Sequence, residues 1–141
     1  HDALPIFRAK VAKTAIDAGA HLINDISAGV LDEQMLETVA ALNVPYIMMH
    51  MKGNPQNMQE NATYKNVVTE VKNYFSDKIK IAQQLGIKDI IIDPGFGFAK
   101  NVDHNYELLQ QLETLTSFEI PILVGLSRKS MIKVVSLSHA F

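Results

Sequence analysis

The sequence has no cysteine, which excludes disulfides and thiolate metal sites and fits a reducing compartment. It has no large excess of charge of one sign. The 13 Lys and Arg stand against 15 Asp and Glu, a formal net charge of -2, which gives no electrostatic case for nucleic acid or an anionic membrane. No apolar run approaches the roughly 20 residues that a membrane span requires. The start, His1-Asp2-Ala3-Leu4-Pro5-Ile6, puts no basic region ahead of an apolar core, so no signal peptide is expected. The first residue is not methionine, and a processed, tagged or cut chain is expected. Interdomain linkers, low-complexity tracts and sequence repeats are also missing. What remains is the composition of one packed domain: 141 residues, 48% hydrophobic, with 20% charged residues arguing against disorder.

Hydrophobic periodicity alternates along the chain between helix and strand. Phe7 to Ala18 has small or apolar residues at Val11, Ala12, Ala15, Ile16 and Ala18, which suits a helix packed on a sheet, with Gly19 as its stop. His21 to Ile26 reads as a strand, Asp32 to Leu42 as a helix ended by Asn43, and Pro45 to Met51 as a second strand with proline at its start. Lys52 to Asn61 is a polar loop, and a long helix is expected from about Tyr64 to Leu85, ended by Gly86. Asp89 to Asp93 is the third strand, Asn101 to about Ser117 a helix, and Pro121 to Leu126 the fourth strand. Ser127 or Ser130 then caps a last helix through Val134, Val135 and Leu137. Hairpins need only a few residues between strands, whereas starts near 21, 45, 89 and 121 leave room for helical crossovers. The expected class is therefore α/β with parallel strands.

Chemically useful side chains fall at the strand ends. Asn24 and Asp25 lie late in the first strand, Met49 and His50 end the second, and Asp93 ends the third before Pro94-Gly95-Phe96-Gly97-Phe98. Gly125, Ser127, Arg128, Lys129 and Ser130 follow the fourth. In a parallel sheet these ends share one edge, where α/β folds bind ligands. Each residue also has a plainer reading. Asn24 and Asp93 serve equally as turn caps, and Asp25 as an acceptor for neighbouring N–H groups. His50 beside Met49 suits a hydrogen-bonded structural histidine, Met48, Met49 and Met51 suit packing, and Arg128 and Lys129 suit a solvated pair. His104 and His139 read as surface residues. Gly95-Phe96-Gly97-Phe98 lacks the third glycine of a dinucleotide fingerprint, and the histidines do not have zinc spacing. A carboxylate, an asparagine, a lysine, Phe98 and Met49 together suit a flat, polar heterocycle such as a pterin.

Four segments carry a resemblance: His21-Leu-Ile-Asn-Asp-Ile, Met48-Met-His-Met-Lys-Gly-Asn-Pro, Asp93-Pro-Gly-Phe-Gly-Phe-Ala-Lys and Pro121-Ile-Leu-Val-Gly-Leu-Ser-Arg-Lys-Ser. In order and spacing, from about Phe7 to Val135, the chain resembles the dihydropteroate synthase family. The resemblance implies a TIM-barrel, (β/α)8 fold and a transferase of folate biosynthesis. That activity condenses 6-hydroxymethyl-7,8-dihydropterin diphosphate with p-aminobenzoate to give 7,8-dihydropteroate and pyrophosphate. By motif, Asn24, Met49, Asp93, Gly125 and Lys129 are expected to bind the pterin. Phe98, Lys129 and Ser130 are expected to border the p-aminobenzoate site, where sulfonamides compete. Asp93 and Lys129 carry the expected catalytic roles, and magnesium (Mg) is the expected ion, with its ligand residue not in this chain. A cytoplasmic location goes with this resemblance.

The departures set further expectations. Ala3-Leu4-Pro5-Ile6 precede Phe7 where the family's strand before the first helix ends in Asp-Thr, and Asp2 is no substitute; the first two βα units are missing, and so is the Arg-x-His anion site of the final strand. Residues 1–141 are thus expected to form one partial pterin-binding barrel domain, truncated at both ends, with about four βα units, or half a barrel. Negligible synthase activity is expected of the chain alone, and self-association as a homo-oligomer is expected to cover its open edges. Competing readings are a pterin-binding methyltransferase barrel, against which Ser127-Arg128-Lys129-Ser130 argues, and a non-catalytic half-barrel assembly module.

Overall fold

The computed structural model describes residues 5–58, 60 and 62–126. The expected last helix beginning at Ser127 or Ser130, and His139, lie outside the described residues.

The apolar runs around Ile23, Tyr46–Met49 and Ile90–Ile92 form the centre of a parallel sheet whose strands neighbour one another in chain order. Its strands are β1 (Pro5–Ile6), β2 (Ile23–Asp25), β3 (Tyr46–Met49) and β4 (Ile90–Asp93). The connecting helices are α1 (Ala9–Asp17), α2 (Met35–Leu42), α3 (Val67–Gln84) and α4 (Val102–Gln110), followed by a 3-10 helix at Leu112–Phe118. Every residue of β3 is buried, the signature of a strand covered on both faces.

Three elements differ from expectation. β1 is not among the expected strands, yet Pro5 and Ile6 pair in parallel with Asn24 and Asp25. Two residues are too few to show a period of two, and proline at a strand start hides the signal further. The expected fourth strand is reduced to one parallel bridge between Ile92 and Ile122. There the Ile92 N–H donates to the Pro121 carbonyl at 3.0 Å and the Leu123 N–H to the Ile92 carbonyl at 2.8 Å. The helix expected from Asn101 to Ser117 breaks at Gln111 and tightens into the 3-10 segment. Thr114, Thr116 and Ser117 each donate a hydroxyl to the carbonyl three residues back, at 2.8, 2.6 and 3.0 Å, in competition with α-helical bonding.

The caps follow the sequence more closely. Asn66 accepts the Thr69 N–H at 2.7 Å and starts α3, and Asn101 with His104 forms a reciprocal capping box at the start of α4. His104, expected as a plain surface residue, thus caps a helix and stands edge-on to Tyr64 at 4.9 Å. α1 has no side-chain cap of its own; Asp32 reaches back from the loop before α2 and accepts the Ala9 N–H at 2.9 Å.

The two faces of the sheet have different roles. Ile23, Tyr46, Met48, Ile90 and Ile92 point into the helix layer and pack with Val39, Val71, Phe75, Ile79 and Leu108. Each large side chain fully buried there contributes roughly 1.5–3 kcal/mol. Strand partners share a face, so the register puts Asn24, Ile47 and Ile91 in one row of the opposite face and Met49 and Asp93 in a later row. A second apolar cluster covers this end: Met49, Met51 and Ala99, with Ile26, Leu31, Met58 and Phe98 packed against them.

Candidate functional site

Asn24, Met49 and Asp93 come from three strands and share the face turned away from the helices. Met49 and Asp93 are direct register partners, and Asn24 is paired with Ile47 one row earlier. Met49 is buried, while Asn24 and Asp93 are half-buried. The Asp93 carboxylate accepts the Gly95 N–H on Oδ1 at 2.8 Å. The plainer reading of Asp93 as a turn cap therefore holds for one oxygen, and it fixes the carboxylate at the mouth of β4. Phe98, at the end of the turn Gly95-Phe96-Gly97-Phe98, packs into the cluster that contains Met49. Ile122, Val124 and Leu126 pack on the helix-side core, which leaves Leu123 and Gly125 on the opposite side of that extended segment. Gly125 is exposed. Lys129 and Ser130, with Ser127 and Arg128, lie outside the described residues.

Asp25 belongs to the scaffold. It faces the helix layer, fully buried, and accepts four hydrogen bonds: Ser27 N–H and Oγ on Oδ1, both at 2.8 Å, and Gly29 N–H and Tyr46 hydroxyl on Oδ2, at 2.7 and 2.6 Å. Burial, with the Asp25 charge and its hydrogen bond behind it, pushes the Tyr46 phenol far above its ordinary range and keeps it a donor. His50 is likewise structural. Its ring is buried edge-on to Tyr74 at 4.8 Å, and Lys100 Nζ stands 2.9 Å from Nδ1. With Lys100 as an ammonium, which has no lone pair to offer, Nδ1 is the acceptor and the proton of the neutral ring sits on Nε2. Burial first, then the Lys100 and Lys52 charges, lower the imidazole pKa to about 2.

Lys100 ends the Asp93-Pro-Gly-Phe-Gly-Phe-Ala-Lys segment, yet the sequence assigns it no role. It is 3% exposed, and besides His50 Nδ1 its ammonium donates to the carbonyls of Gly95 and Phe98, both at 3.0 Å. Its place directly after the glycine-rich turn was the available signal; its partner His50 lies 50 residues away, which no local pattern reveals. Tyr64 adds a further tie by donating its hydroxyl to the Ala99 carbonyl at 2.8 Å. Lys52 closes the polar loop, donating to Glu70 Oε2 at 2.6 Å and to the Thr63 carbonyl at 2.7 Å.

A match to the family described as "Pterin binding enzyme" covers residues 6–140. The chain belongs to the pterin-binding enzyme family. It is similar to the dihydropteroate synthase of Escherichia coli K12, with 45% identity over 125 residues, covering 87% of this chain and 44% of that protein. It is also similar to the dihydropteroate synthase of Thermus thermophilus. The structure in complex with 4-aminobenzoate has a TM-score of 0.90 at 38% identity, covering 95% of this chain and 52% of the other. The complex with 6HMPPP gives 0.89 at 38% identity, covering 95% and 53%. The chain spans about half the length of the curated relatives it matches. For a member of the pterin-binding enzyme family the α/β, TIM-barrel class follows, with this chain forming part of the barrel.

Among the described residues no group of three or more His, Asp or Glu is placed to hold a metal ion, and Asp25 is already saturated by four donors. Among the described residues, too, no helix is long and apolar enough to cross a membrane.

Proposed function

We propose that this chain carries the pterin-holding part of a dihydropteroate synthase, which joins 6-hydroxymethyl-7,8-dihydropterin diphosphate to p-aminobenzoate. The amine nitrogen attacks the exocyclic methylene carbon of the pterin. A C–N bond forms as the C–O bond to the diphosphate breaks, pyrophosphate leaves with the electron pair, and the amine gives its proton to solvent. The observation that carries this reading is the placement of Asn24, Met49 and Asp93 on one sheet face, with Phe98 packed into the cluster that contains Met49.

The roles follow from the chemistry of the groups. Asn24 offers a donor and an acceptor to the edge of the heterocycle, and the Asp93 carboxylate accepts from its adjacent N–H donors. As the diphosphate departs, positive charge spreads into the ring, and Asp93 offsets it by a fixed negative charge at the site. Met49 and Gly125 line the pterin, Lys129 donates to it, and Phe98, Lys129 and Ser130 border p-aminobenzoate. Residues 1–141 are read as one partial barrel domain, cytoplasmic, that associates with a second copy of itself. On its own it is proposed to bind rather than turn over its substrates, so binding is the measurement that tests the reading.

Titration calorimetry with the pterin diphosphate is expected to show saturable binding to the wild-type chain. Asp93→Asn is expected to weaken it about 10- to 100-fold, the worth of a charge-assisted hydrogen bond of roughly 1.5–3 kcal/mol. Equal affinity in the two proteins would remove Asp93 from the site. Competition between p-aminobenzoate and a sulfonamide in the presence of pyrophosphate separates this reading from a methyltransferase barrel.

A further inference from the structure

The two strand ends that supply Met49 and Asp93 are fastened to each other by one buried cation. Lys100 Nζ reaches His50, which follows Met49, and the carbonyls of Gly95 and Phe98, which belong to the turn after Asp93. Three donors meet three acceptors at 2.9–3.0 Å, and the His50 carbonyl lies at the edge of range at 3.5 Å. The two backbones are in close contact at this point. A Cβ built on Gly95 would clash with the His50 carbonyl oxygen, and the His50 N–H donates to the Asp93 carbonyl at 2.9 Å.

The acceptor on the His50 side is also prearranged. Tyr74 stands edge-on to the imidazole at 4.8 Å and shares its single hydroxyl proton between the carbonyls of Ser27 at 3.2 Å and Met49 at 3.4 Å. The ring therefore presents Nδ1 to the ammonium from a fixed place. On the turn side, the Phe98 N–H donates to the Gly95 carbonyl at 3.0 Å. Of the two carbonyls that Lys100 grips, that of Gly95 closes the turn and that of Phe98 lies at its end, where the Phe98 ring emerges.

We propose that Lys100 and His50 are a pair of positioning residues that fix Phe98 in the cluster that contains Met49 and thereby set the affinity for p-aminobenzoate. This rests on the reading of the site as that of a dihydropteroate synthase. The pterin is held by Asn24 and Asp93, which stand on strands, whereas Phe98 stands on the turn that the ammonium closes. Loss of the ammonium therefore acts on the second substrate more than on the first.

The test uses the 141-residue chain. Amide hydrogen exchange needs no ligand: in Lys100→Met the Phe98 and His50 amides are expected to exchange at least tenfold faster, with the amides of α3 unchanged. Unchanged exchange at Phe98 overturns the proposal, and so does acceleration that extends equally through α3, since Lys100 would then hold the whole fold. With pterin and pyrophosphate present, Lys100→Met is expected to weaken p-aminobenzoate binding at least tenfold and pterin binding less than threefold; an equal loss of both overturns the assignment. His50→Leu is expected to repeat the effect, and His50→Asn, which keeps an acceptor near the position of Nδ1, to restore most of it. Equal behaviour of those two variants counts against His50. A wild-type chain that binds no pterin overturns the synthase reading and the substrate part of the proposal with it, and leaves the exchange experiment to decide the clamp.

Discussion

At the scale of single residues, backbone contacts govern the site as much as side chains do. Gly95 has φ +71°, where an L side chain is strained, and its missing Cβ leaves room for the His50 carbonyl. Gly95→Ala is expected to cost about 3 kcal/mol, combining the left-handed strain with the forced separation of two backbones, as read from the urea midpoint. A midpoint equal to wild type would mean that the turn moves freely. His50 predicts a pH dependence. In the unfolded chain its imidazole titrates near 6.5, and in the fold it resists protonation down to about 2. Between those values the unfolded chain binds one more proton, so this contribution to stability is whole above pH 6.5 and is lost as pH falls. The slope is on the order of 1 kcal/mol per pH unit, and His50→Asn is expected to flatten the stability–pH curve by that much in urea melts between neutral and mildly acidic pH. Parallel curves for the two proteins would contradict it. The strand-end positions of Asn24, Met49 and Asp93 were legible from the sequence because each closes an apolar run. The scaffold roles of Asp25 and His50 were only one of two open readings. Choosing between them needed Tyr46 and Lys100, which are 21 and 50 residues away.

At the scale of elements, the longest helix has the clearest local code. α3 starts at Asn66, whose side chain accepts the Thr69 N–H, and buries Val67, Val68, Val71, Phe75, Ile79 and Ala82. Asn66→Ala is expected to lower stability by about 1 kcal/mol and Asn66→Asp to leave it nearly unchanged, by thermal melting. An Ala variant as stable as wild type would show that packing alone holds this end. The elements that the sequence reading misplaced share one cause. β1 shows only Pro5 and Ile6 among the described residues, and Ile122 forms a lone bridge, so neither owes its place to a pattern of its own there. Both exist through pairing with a strand whose pattern is strong, β2 for one and β4 for the other. The break at Gln111 arises from hydroxyl-to-carbonyl bonds that an apolar stripe does not register.

At the scale of the whole molecule, one sheet face is covered by helices and the other carries the candidate site. Leu123, 41% exposed, stands on that second side, and β1 offers a short edge. The proposed self-association makes the mass in light scattering rise to that of a dimer with protein concentration; a cooperatively folding monomer at every concentration would end that idea. The sheet also explains why half a barrel keeps the motifs in order: parallel register fixes which side chains stand in a row, whatever closes the other side. The buried Lys100 has one more consequence, for labelling chemistry. Amine-selective reagents attack an accessible, unprotonated amine, and this one is saturated by its acceptors and shielded from solvent. Exposed lysines such as Lys10, Lys65 and Lys80 are modified directly. Lys100 is modified only when the turn comes away from His50, so its labelling rate measures how often the site opens.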